Sequence, residues 1–96
     1  MDKASKVEAN FYGLLKRVFQ EEKKQIDLSN ASNIRALLLV LCNSLERHDR
    51  IFDEHGDLRK NISIFRNGRN ILFLKGLETE LDAGDSVAIF PPTAGG

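Results

Sequence analysis

Ninety-six residues, 42% of them hydrophobic, with 14 Lys plus Arg matched by 14 Asp plus Glu, bound a single small globular domain. A chain of this length buries about 60 to 65% of its unfolded surface, which leaves one modest core and no room for a second domain or a large substrate cavity. Zero formal charge offers neither nucleic acid nor an anionic membrane a concentrated positive field, one cysteine excludes an internal disulfide or a multi-cysteine metal cage, and no stretch nears the roughly 20 apolar residues of a membrane span.

The chain begins on the charged MDKASKVEANF, with no apolar core of signal-peptide length, so a cytoplasmic, reduced protein is expected. From Ser5 to Tyr12, Val7, Ala9 and Phe11 alternate with Lys6, Glu8 and Asn10, the period of a half-buried strand. Gly13 interrupts it. Leu14 to Gln20 follows with helical spacing, and a second strand is predicted from Lys23 to Leu28, paired with the first through a long connection. The capping cluster Ser29 to Asn33 then opens a helix whose apolar stripe is Ile34, Leu37, Leu38, Leu41, Cys42 and Leu45. Cys42 lies on that stripe and reads as a small core residue rather than a nucleophile. Leu39 and Val40 fall off it, so flanking segments are expected to wrap partly around the helix.

From Glu46 to Lys60 the composition turns charged. Asp53-Glu54-His55-Gly56-Asp57 lacks the ligand spacing of a calcium or zinc site and reads as a solvated turn between short extended pieces, Arg50 to Asp53 and Asp57 to Asn61, with no metal expected. Ile62 to Arg66 is a strand, Asn67-Gly68 a two-residue hairpin turn, and Asn70 to Leu74 the strand pairing back. Gly76 to Leu81 reads as an irregular or single-turn segment and Asp82 to Asp85 as a turn. Ser86 to Phe90, apolar almost throughout, is a central strand that ends at Pro91-Pro92, since neither proline donates to a ladder. One strong helix with five strands makes an α+β domain: a mixed sheet with one main helix packed on one face. With the aliphatic side chains turned toward the helix, Phe65, Ala88 and Phe90 are left on the open face as a contact surface.

The end of the chain carries the functional signal. Pro91 and Pro92 stiffen the exit, and Thr93, Ala94, Gly95 and Gly96 follow with almost no side-chain bulk, a shape suited to threading a narrow channel. The stretch Gly84 to Gly96, reading GDSVAIFPPTAGG, resembles the end of the MoaD and ThiS sulfur carriers, MoaD being the small subunit of molybdopterin synthase. Asn67-Gly68-Arg69, Phe73-Leu74, Gly76-Leu77-Glu78-Thr79 and Leu81 resemble the segment before that tail in long members of the group, and Asp53 to Arg59 resembles their extra hairpin. In the first half the likeness is one of pattern, with Phe11 in a first strand and Asn33-Ile34-Arg35 entering a leucine-rich helix.

The resemblance implies a ubiquitin-like β-grasp over residues 1–90 with a tail at 91–96, no catalytic side chain and no bound cofactor. The reactive group is then the Gly96 carboxylate, adenylated with ATP by a ubiquitin-activating-type adenylyltransferase (MoeB-like), converted to a thiocarboxylate by a sulfur donor, and presented to the large subunit of molybdopterin synthase (MoaE-like) for a molybdenum or tungsten cofactor. Arg66 and Arg69 join Phe65, Ala88 and Phe90 as expected partner contacts. Residues 76–96 hold Glu78, Glu80, Asp82 and Asp85 and no cation, an acidic shoulder that suits a basic partner groove. Two other roles fit the same family, a thiamine-pathway carrier and a modifier joined to lysines through Gly96, and outside the family a plain β-grasp binding module would use the open face alone.

Overall fold

The computed structural model describes residues 5–92. Its five strands are β1 (Lys6–Phe11), β2 (Lys23–Asp27), β3 (Ser63–Arg66), β4 (Arg69–Asn70) and β5 (Ser86–Phe90), and its helices are α1 (Leu15–Phe19), α2 (Ile34–Leu41) and α3 (Leu45–Ile51). They form one sheet in the order β2-β1-β5-β3-β4, in which β1 and β5 run parallel and the other neighbours antiparallel. This is the β-grasp expected, with β5 at the centre. The two-residue period decides the faces: Val7, Ala9, Phe11, Ile26, Ile64, Val87 and Ile89 are buried beneath the helices.

Four side chains of α2 enter that core: Ile34, Leu37, Leu38 and Leu41, each worth about 1.5 to 3 kcal/mol of burial. The helix is started by Asn33, whose Oδ1 accepts from the Ala36 amide at 2.8 Å. Cys42 is buried beside it as predicted, and burial pushes its thiol up to about 12 despite the nearby Arg47. The stripe does not continue to Leu45. The helix stops at Cys42, and Ser44 caps a second one by accepting from the Arg47 amide at 3.2 Å, leaving Leu45 exposed at its first position. Leu39 and Val40 are likewise exposed rather than wrapped.

Three further expectations give way to local hydrogen bonding. Of the extended piece expected at Arg50 to Asp53, Arg50 and Ile51 instead end α3 while Phe52 is extended, and of the one expected at Asp57 to Asn61 only Leu58 pairs, in a single bridge to Phe52 before the chain turns at Lys60 and Asn61; Ile51 and Phe52 are buried. The Asp53 carboxylate accepts from the His55 and Asp57 amides at 2.8 and 3.0 Å, bonds that favour its charged form and hold its carboxyl below the usual range. The strand expected from Asn70 to Leu74 lasts only to Asn70, because the Asn70 side chain accepts from the Leu72 amide at 2.9 Å and turns the chain into a 3-10 segment, Ile71–Phe73. The Asn67-Gly68 hairpin turn stands as predicted, with both residues at positive φ, 50° and 85°.

Candidate functional site

β5 ends at Phe90, where the chain leaves the sheet between β1 and β3. Its register with β1 pairs Phe11 with Ile89, and the Tyr12 amide donates to the Ile89 carbonyl at 3.2 Å, so Tyr12 lies beside Phe90. Their rings stack at 4.5 Å, and Phe65 meets the other side of Phe90 edge-on at 5.5 Å. Phe65, Ala88 and Phe90 are all partly exposed on the face away from the helices, as expected, with Ala88 the register partner of both Phe65 and Asn10. Tyr12 joins them unanticipated. The alternation that turns Phe11 inward turns Tyr12 outward, a signal that was present in the sequence.

The exit is anchored by a contact the sequence does not announce. Gly13 has φ +57°, and a Cβ there would stand 2.8 Å from Pro91 Cγ, so the proline ring occupies the space any side chain at 13 would need. Beside Pro91 and Pro92 runs a groove of about 370 Å³ bordered by Leu14, Ile62, Arg50 and Arg59. Thr93, Ala94, Gly95 and Gly96 lie outside the described residues.

The expected cationic contacts separate. Arg66 is committed to the fold: its Nε donates to Asp85 Oδ2 at 2.8 Å and its Nη2 to Asp82 Oδ2 at 3.3 Å. The Asp82 amide and Asn67 Nδ2 also donate to the Asp85 carboxylate, at 2.7 and 2.9 Å. Burial pushes the Asp85 carboxyl up, but those hydrogen bonds and the Arg66 charge outweigh it and hold the group below the usual range. Arg69 is exposed and makes no ion pair among the described residues. The acidic shoulder is also less bare than its composition suggests, since Glu78 pairs with Arg35 at 3.0 Å and Asp82 and Asp85 with Arg66. Asp82 and Asp85 precede β5 while the tail follows it, so the length of the strand, on the order of 13 to 17 Å, separates them from the exit.

The described residues include no helix long and apolar enough to cross a membrane and no group of three or more metal-ligating side chains. Comparison with known proteins gives the family. A protein from Archaeoglobus fulgidus with a provisional sulfur-carrier name is 50% identical over 61 residues, covering 62% of this chain and 69% of the relative. Small archaeal modifier protein 3 from Haloferax volcanii is 44% identical over 43 residues, 45% of this chain; the match spans about half of that relative, 47%. Among solved structures, SAMP1 from Haloferax volcanii superposes with a TM-score of 0.81 at 26% identity, covering 95% of this chain and 99% of that one. The ThiS family model matches residues 10–96, and the chain therefore belongs to the ThiS family of ubiquitin-like β-grasp proteins.

Proposed function

We propose that the chain is a sulfur carrier of molybdopterin biosynthesis whose working group is the Gly96 carboxylate. The observation that carries the reading is the exit itself. A central strand fixed on both sides ends in Phe90-Pro91-Pro92, and Pro91 is seated on Gly13, so the chain leaves the sheet at a defined point beside the Tyr12, Phe65 and Phe90 rings. A carboxylate is anionic and a poor electrophile, and it must be activated before sulfur can replace an oxygen. Activation falls to an adenylyltransferase: a Gly96 carboxylate oxygen attacks the α-phosphorus of ATP and pyrophosphate leaves. A donor of hydrosulfide-level sulfur then attacks the carbonyl carbon, the C–S bond forms as the bond to AMP breaks, and a thiocarboxylate remains. In the large subunit of the synthase the thiocarboxylate sulfur bonds to the pterin precursor; water then attacks the Gly96 carbonyl carbon, the C–S bond breaks with the sulfur left on the pterin, and the carrier returns as the carboxylate.

Similarity to the archaeal modifier favours a second use of the same intermediate, in which a lysine amine displaces AMP and leaves an isopeptide at Gly96. Both readings make the terminal residue essential and the fold indifferent to it. Deleting Gly96, or adding a residue after it, abolishes adenylation with no change in thermal stability; a lowered melting temperature in the deletion contradicts the proposal. Gly96 remnants on cellular lysines distinguish the modifier, and sulfur loading without such remnants the carrier.

A further inference from the structure

Leu72 and Phe73 stand 76% and 82% exposed, among the barest large apolar side chains of the described residues. They are held, not trailing. Ile71 beneath them is 1% exposed, Asn70 Oδ1 accepts from the Leu72 amide, the Leu74 amide donates to the Ile71 carbonyl at 2.9 Å, and the Lys75 amide donates to the buried Thr79 hydroxyl at 3.0 Å. A 3-10 turn fixed at both ends thus displays two side chains that gain nothing from the fold. Exposed side by side, they form an apolar knob with no cover, the mark of a contact surface.

Its surroundings say what it contacts. Arg69 and Lys75 flank the knob, neither makes an ion pair among the described residues, and no carboxylate occurs from residue 58 to 77. Just beyond Leu74 and Lys75 lies a groove of about 430 Å³ that also touches Arg66, Glu80 and Asp82. Carboxylates at that groove are repelled by an anionic bilayer, whereas a knob beside a mixed-charge hollow suits a folded protein. On the other side the knob adjoins the aromatic face, since Phe65 is the register partner of Asn70, two residues before Leu72. A stable protein interface takes roughly 800 Å² per partner, so a partner that receives the tail gains by reaching the aromatic face and the knob as well.

We propose that Leu72-Phe73 is a docking element for the enzyme that adenylates the tail, fitting an apolar socket with carboxylates at its rim opposite Arg69 and Lys75. This rests on the activation of Gly96 proposed above. The test is pyrophosphate exchange and intact mass with the cognate adenylating enzyme and ATP, comparing the full wild-type chain with Leu72→Ser/Phe73→Ser. The double variant keeps or exceeds the wild-type melting temperature and loses about 30-fold or more in kcat/KM, as loss of a central apolar anchor does. Arg69→Glu/Lys75→Glu loses activity in a way that rising salt narrows. If the wild-type chain is adenylated and the double variant is within twofold of it, the docking role is overturned and the carrier reading stands; if the wild-type chain is not adenylated, both fall. Cosedimentation with phosphatidylcholine–phosphatidylserine vesicles, or self-association of the wild-type chain, abolished by the same variant while adenylation is unchanged, would reassign the knob to a lipid surface or a second copy.

Discussion

The seat of Pro91 on Gly13 predicts a stability difference between two glycines that look alike in the backbone. Gly13 and Gly84 have φ of +57° and +88°, and alanine pays about 1 to 2 kcal/mol to hold that region, offset by about 0.4 to 1 kcal/mol from the stiffer unfolded chain. At Gly84 nothing lies within 4 Å of the new methyl, so Gly84→Ala costs that net amount, under about 1.5 kcal/mol. At Gly13 the methyl would stand 2.8 Å from Pro91 Cγ, on a ring continuous with the central strand and unable to swing aside as a flexible side chain would. Overpacking of this kind adds about 1 to 3 kcal/mol. For a domain this size each kcal/mol moves the melting temperature by roughly 4 to 8 °C, so Gly13→Ala melts on the order of 10 °C below Gly84→Ala. Calorimetry or denaturant titration of the two variants reads the difference. Equal stabilities would refute the seating of Pro91, and with it the fixed exit of the tail.

Other outcomes follow from the same contacts. Arg66→Met costs about 2 kcal/mol at neutral pH by leaving the Asp85 carboxylate without its cation. Because the folded state holds the Asp85 carboxyl below its ordinary 3.8, the clamp contributes fully above that pH and is lost as pH falls through the lowered value; the variant shows a shallower loss of stability on that acid limb, and an unchanged limb counts against the clamp. Cys42, with its thiol up at about 12, is alkylated by iodoacetamide at pH 8 only after unfolding, and labelling at the unfolded rate in the native protein contradicts its burial. Asn33→Ala removes the cap of α2 for about 1 kcal/mol and Leu38→Ala costs about 2 to 5 kcal/mol, while Leu39→Ser, on the exposed flank, changes chemical-denaturation midpoints little.

Periodicity made β1, β2, β5 and α2 legible, because in each a simple pattern coincides with burial: Val7, Ala9 and Phe11 inward, Ile34, Leu37, Leu38 and Leu41 on one stripe. It misled where a polar side chain redirected the backbone. Ser44 starts a new helix inside an apolar run that reads as continuous, and Asn70 ends a strand that Ile71 to Leu74 would otherwise extend. Both residues are ordinary helix-starters and announce themselves once capping is weighed against apolar spacing. Of the candidate site, the open-face aromatics were legible because β5 and β3 alternate. Arg66 was not, since a cation shows no partner until Asp82 and Asp85 fold back on it, and the Gly13–Pro91 contact joins positions far apart in the chain.

In the proposed chemistry the chain's reacting group is the Gly96 carboxylate. The most direct test is the intact mass of the protein after incubation with its adenylating enzyme, ATP and a sulfur source, followed by fragmentation of the C-terminal peptide. The predicted product has one oxygen replaced by sulfur, located on Gly96; an unchanged mass with an enzyme shown to be competent, or sulfur found on Cys42 instead, would contradict it.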